Sequence, residues 1–145
     1  MDQYSDYIDT EDLMRPAGPA MARGLVGCCP SCGIGSLYSQ YLKVWDQCPH
    51  CGEPLHHQRA DDAPAYFTIL IVGHLMVPMA VVVERLFSPP VLYSLLFWLP
   101  AIIGVSLWLL PRIKGALIGF QWAKLMHGFE EEARLRLEWP SRPDR

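Results

Sequence analysis

Two long apolar runs break an otherwise mixed pattern. Residues 65–83 (AYFTILIVGHLMVPMAVVV) and residues 91–110 (VLYSLLFWLPAIIGVSLWLL) carry no charged side chain. At about 1.5 Å per helical residue each reaches about 30 Å, the thickness of a bilayer's hydrocarbon core. Both are too long to be buried helices of so small a chain, so they predict transmembrane helices over residues 65–86 and 91–110. The join between the runs, Glu84-Arg85-Leu86-Phe87-Ser88-Pro89-Pro90, is short enough to make them an antiparallel hairpin.

The flanking stretches read differently. Residues 34–45 (IGSLYSQYLKVW) are rich in aromatic and β-branched residues, the composition of short strands. After Pro111, positions Ile113, Ala116, Leu117, Phe120 and Ala123 recur at helical spacing, interrupted by Lys114, Gln121 and Lys124. That mixture predicts an amphipathic helix lying in the membrane interface rather than a third span. It would lead into a charged tail where Glu130 faces Arg134 and Glu132 faces Arg136, the segment as a whole covering residues 112–138.

Composition adds little to the class, since 51% hydrophobic residues is near the top of the soluble range. Charge says more. The net charge of −3 comes largely from Asp2, Asp6, Asp9, Glu11 and Asp12, and with Pro16, Gly18 and Pro19 behind them residues 1–22 read as a disordered acidic tail. Residues 1–65 hold four basic side chains against nine acidic ones, which argues against nucleic acid as a partner. Around the spans, Arg59 precedes the first, and Arg112, Lys114 and Lys124 follow the second, whereas the turn has only Arg85 beside Glu84. The positive-inside bias therefore predicts that both termini face the cytoplasm.

Cysteine supplies the chemistry. Cys29-Pro-Ser-Cys32-Gly and Cys48-Pro-His-Cys51-Gly stand fifteen residues apart, the spacing of a zinc ribbon. The glycine after each second cysteine supplies the positive φ that such a turn needs. Cys29, Cys32, Cys48 and Cys51 are the expected ligands of a structural zinc ion in residues 23–60, and four free thiolates agree with a reducing compartment. With four protein ligands the metal keeps no open position for water, which excludes hydrolytic chemistry there. A dithiol oxidoreductase would need a βαβ framework that this sequence lacks. No Ser–His–Asp set, phosphate-cradling loop or catalytic carboxylate pair appears, so the expectation is a protein that is not an enzyme.

The expected fold is thus a small metal-stabilised β zinc ribbon followed by an α-helical transmembrane hairpin and a C-terminal interfacial or cytoplasmic helix. Several residues stand outside that scheme. Cys28 is a spare thiol or part of a copper(I) loop. His50, His56 and His57 read as ribbon surface, and His74 lies mid-span, where a hydrogen bond to Ser94 or Ser106 would make it tolerable. Pro78 and Pro100 each remove a helical hydrogen bond. Pro64 fits a helix's first turn, with Asp61 or Asp62 as its cap. Gly115-Ala-Leu-Ile-Gly119 would let a second helix approach closely.

The order of motifs resembles the bacterial membrane-protein family known as domain of unknown function 983. The likeness runs through Arg23-Gly24, both CPxCG turns, Asp62-Ala63-Pro64-Ala65, the hairpin, Pro111-Arg112-Ile113-Lys114-Gly115-Ala116, Gln121-Trp122-Ala123 and Met126-His127-Gly128-Phe129. Ala63 stands where that pattern has Gly. Genes of this family in alphaproteobacteria tend to sit among those for cytochrome c oxidase subunits and assembly factors. The resemblance therefore implies an inner-membrane adaptor or assembly factor in oxidase biogenesis, with oxidase subunits or assembly factors as partners beside the lipid bilayer. Tyr38, Tyr41 and Trp45 are its candidate docking anchors. The alternative is a copper or haem carrier of the same pathway, using Cys28 and His74.

Overall fold

The computed structural model describes residues 15–56, 62–126 and 129. Its elements are α1 (Ala17–Leu25), β1 (Tyr38–Gln40), β2 (Lys43–Val44), α2 (Ala63–Phe87) and α3 (Val91–Ala123). α2 and α3 are long and apolar enough to cross a membrane. Three residues, Ser88-Pro89-Pro90, fold one back on the other. Ser88 turns the chain in the left-handed region at φ 43°, and its amide bonds the Glu84 carbonyl. The Ser94 hydroxyl donates to the Glu84 carboxylate across this end of the pair. Pro64 stands in the first turn of α2 as expected, but Asp62 at the N-cap makes no side-chain capping bond. α2 is covered along one stripe at i+4 spacing, Pro64, Thr68, Val72 and Met76, and exposes its other apolar residues.

The largest departure from expectation is α3. Pro111 ends the apolar run but not the helix, and the segment expected to lie apart as an interfacial helix continues α3 without a break to Ala123. At about 1.5 Å per residue α3 is about 50 Å long, well beyond the hydrocarbon thickness. The reason is partnership. The carbonyl of Leu107, four residues before Pro111, has no helical N–H to bond, and the Tyr41 hydroxyl donates to it at 2.7 Å. One turn on, Tyr38 donates to the Pro111 carbonyl at 2.6 Å. The charged tail expected after Gly128, with its Glu130–Arg134 and Glu132–Arg136 pairs, lies outside the described residues, as does the acidic cluster of residues 2–12.

The second departure is α1. Residues 17–22, expected in the disordered tail, are helical and lie against the far half of α3. The pairing is backbone to backbone. A methyl group placed on Gly24 would strike the Gly115 carbonyl, one on Gly115 would strike the Gly24 carbonyl, and one on Gly119 would strike the Ala20 carbonyl. Ala20-x-x-x-Gly24 thus meets Gly115-x-x-x-Gly119, small residues against small residues. Ala20, Trp122, Ala123, Leu125 and Phe129 close an apolar cluster at that end.

These contacts set a sharp contrast among glycines. Gly24→Ala or Gly115→Ala should cost about 3 kcal/mol, the scale of overpacking, and free α1 from α3. Gly73→Ala and Gly104→Ala, whose added methyl meets nothing within 4 Å, should leave the melting temperature of the detergent-solubilised protein unchanged or raise it. Equal melting behaviour of all four variants would overturn the docking of α1.

Candidate metal centre

Between α1 and α2 the chain makes two turns of one design. In the first, the Gly33 amide bonds the Cys29 carbonyl at 2.9 Å; in the second, the Gly52 amide bonds the Cys48 carbonyl at 3.0 Å. Gly33 and Gly52 take φ values of 71° and 72°, the left-handed conformation for which glycine has no steric penalty. Between the turns, β1 and β2 form a two-stranded antiparallel ribbon closed by Tyr41-Leu42, with Cys28–Ser36 and Gln47–Pro54 as further single bridges.

The turns bring four sulfurs together. Cys29, Cys32, Cys48 and Cys51 have all their Sγ atoms within 4.8 Å of one another. The Cys29–Cys51 and Cys32–Cys48 separations are 3.8 and 3.9 Å. A disulfide needs about 2.05 Å between sulfurs, so these are free thiols. Four sulfurs about 2.3 Å from one tetrahedral centre lie about 3.8 Å apart, which matches. The group could hold a metal ion, and an all-thiolate tetrahedral donor set suits zinc or iron.

Electrostatics at the four sulfurs are uneven. Burial pushes the Cys29 thiol up, and the amides of Cys32 and Ser31 only partly offset this. Burial likewise raises Cys51. At Cys32 burial also acts upward, but the amides of Gly35 and Ile34, each 3.5 Å from its Sγ, and the neighbouring sulfurs outweigh it and bring the thiol down to about 6. Cys32 therefore meets a cation as thiolate more readily than Cys29 or Cys51.

The cluster is closed from behind. Cys29 and Cys48 are buried with Leu37, Leu55 and Ile118, the last contributed by α3. Gly35 passes so close that a methyl group there would strike Cys48 Sγ. Each turn is also tied to a helix. Arg23 of α1 donates to the carbonyls of Pro30 and Ser31 at 3.1 and 2.9 Å. Glu53, just past the second turn and almost fully buried, accepts from the Trp122 indole of α3 at 2.9 Å and from Arg15 at 3.4 Å. Arg15 in turn lies over the Trp122 ring, 4.0 Å from its centroid.

The other candidates lie elsewhere. Cys28 is not among the gathered sulfurs. His74 turns its Nδ1 to the Leu70 carbonyl of its own helix at 2.8 Å, not to Ser94 or Ser106, because the carbonyl one turn back is within reach of its ring. His50 and His56 are exposed, and His57 lies outside the described residues. Of the expected anchors, Tyr38 and Tyr41 are engaged with α3, while Trp45 remains exposed. Gly35, Glu53 and Trp122 were not singled out as supports of the site. The Gly35 contact leaves no trace in spacing, and a buried acidic residue is recognisable only once its donors are in place.

Together these features define a class: a pair of membrane-capable helices carrying a four-cysteine centre against the extended end of the second. The family described as "Protein of unknown function (DUF983)" matches residues 38–122, more than half of the chain, and the protein belongs to that family. The match takes in Cys48 and Cys51 and begins after Cys29 and Cys32. No curated protein and no solved structure matches the chain.

If the four sulfurs hold zinc, elemental analysis of protein purified under reducing conditions should give a single ion per chain. Cys28→Ser should keep it, and Cys29→Ser, Cys48→Ser and the non-ligand variant Gly35→Ala should lose most of it. Retention in Cys48→Ser would exclude the site.

Proposed function

We propose that this protein is an adaptor anchored in the bacterial inner membrane, not an enzyme, and that a zinc ion in the four-cysteine centre keeps its docking module folded on the cytoplasmic side. The partner is a membrane complex. The family resemblance points to cytochrome c oxidase and its assembly factors, so the pathway proposed is oxidase biogenesis.

One observation carries the adaptor reading: four cysteine sulfurs gather within 4.8 Å of one another while Leu37, Leu55 and Ile118 pack behind them. A metal with four protein ligands offers no site to a substrate, and its binding free energy, on the order of 10 kcal/mol, goes into folding. A segment as small as residues 23–56 has too little core of its own to fold without such help. The membrane reading is supported by the exposure of large apolar side chains along both long helices, far more than a soluble monomer leaves in water.

Two experiments test this. In membranes of a deletion strain, a reduced-minus-oxidised spectrum should show a weakened a-type haem band, restored by the wild-type gene and not by Cys48→Ser. Separately, Cys48→Ser should insert in the membrane as the wild type does yet fail to co-purify oxidase components. An unchanged haem band under conditions where the oxidase is expressed would remove the oxidase assignment. Unchanged co-purification would remove the adaptor role of the cysteine module.

A further inference from the structure

The tip of the β1–β2 hairpin is held at a definite height along α3. Tyr41 donates to the Leu107 carbonyl at 2.7 Å, and Lys114 donates to the Leu42 carbonyl at 2.8 Å. Leu42 pays for this seat with a left-handed backbone, φ 62°, a conformation that disfavours a leucine by about 1 kcal/mol or more. Both residues of the tight turn are therefore pinned to the same two turns of helix. Leu107 lies sixteen residues after Val91, so its carbonyl is about 24 Å along the helix from the end next to the Ser88-Pro89-Pro90 link. A hydrocarbon core beginning near Val91 extends about 30 Å, and the hairpin tip falls just inside its opposite boundary.

The side chains at that height suit the place. Tyr41 and Trp108 are each 58% exposed, and Leu107 beside them is 52% exposed. Arg112 stacks on the Trp108 ring at 3.8 Å from the centroid and donates to the Trp108 carbonyl at 2.8 Å. Lys43 is exposed at the start of β2, two positions from Tyr41, and Lys114 bonds the tip of the hairpin, so three cationic residues belong to the segments that carry Tyr41 and Trp108. Exposed aromatics capped by cations are what a phospholipid headgroup layer accommodates.

Pro111 supplies the reason for a tether at this depth. Its missing N–H leaves the Leu107 carbonyl without a helical partner, and an unpaired carbonyl inside hydrocarbon costs several kcal/mol. A proline there is tolerated when another group takes over the bond, and the Tyr41 hydroxyl does so.

We infer that the Tyr41-Leu42 tip of the hairpin is seated in the boundary between headgroups and acyl chains of the bilayer, with Lys43, Arg112 and Lys114 facing anionic phospholipid headgroups. The tip is thus a membrane contact and not a protein-docking surface, which leaves the faces of the cysteine module away from α3 for a partner. This placement rests on the reading of α2 and α3 as membrane spans.

The test uses the full chain in nanodiscs of phosphatidylcholine and phosphatidylglycerol, with 3-fluorotyrosine placed by amber suppression at position 41 alone or at position 93 alone. That replacement keeps the hydroxyl that Tyr41 needs. Tyr93, 69% exposed in the first turn of α3, reports insertion of the helix pair independently. With lipid carrying a nitroxide at acyl carbon 5, both fluorine signals should lose most of their intensity. Loss at position 93 with an intact signal at 41 would overturn the seating of the hairpin and leave the spans standing. An intact signal at 93 would overturn the membrane reading and the hairpin placement with it.

Discussion

Among the described residues, α1, the β-hairpin and the cysteine turns are attached to one stretch of α3, residues 107–123, and α1 stays there because two backbones touch. Gly24 against Gly115 and Ala20 against Gly119 leave no room for a side chain, so α1 lies closer to α3 than ordinary packing allows. That approach fixes the position of Arg23, whose guanidinium holds the first cysteine turn through the carbonyls of Pro30 and Ser31. It also sets Ala20 beside Trp122, whose indole is bonded to Glu53 past the second turn. The small residues in the helix faces thus determine where both cysteine turns sit.

The hairpin adds a second attachment of a different kind. Tyr38, Tyr41, Leu42 and Lys114 join the ribbon to α3 through three hydrogen bonds to backbone carbonyls, and two of these carbonyls, Leu107 and Leu42, are left available by a proline and by a turn. A charged carboxylate at Glu53 would be costly to bury alone, and Trp122 and Arg15 meet it from α3 and from the residue ahead of α1. Polar pairing and close packing therefore converge on the same helix from two sides. Such a module needs little core of its own, since Ile118 of α3 completes the apolar cluster behind the sulfurs.

Much of this was legible in the chain, but unevenly. The two apolar runs and the CPxCG turns are local signals, written in consecutive residues, and they led directly to α2, the first half of α3 and the gathering of Cys29, Cys32, Cys48 and Cys51. Residues 112–123 and 17–25 misled because their patterns are incomplete alone. Lys114 and Gln121 look like the polar face of an interfacial helix, yet Lys114 serves the Leu42 carbonyl seventy-two positions away. Pro111 looks like a terminator, yet its effect is cancelled by a tyrosine hydroxyl sixty-six positions from the carbonyl it bonds. Gly18 and Pro19 suggest disorder, and only the groove formed by Gly115 and Gly119 makes a helix of that segment worthwhile. Contacts of that range have no periodicity to betray them.

The same geometry bears on what a metal would do here. A thiolate centre in an isolated ribbon stabilises the ribbon alone. Here Ile118 lies in the cluster with Cys29 and Cys48, and Leu37 packs within reach of Gly115, so the cysteine module shares with α1 the cover of α3 beyond Pro111. Opening the centre would uncover the module's share of that surface and release Tyr41 from the Leu107 carbonyl at the proline. Loss of a bound metal would then be felt in the helix as well as in the turns, through what the folding of the site holds in place.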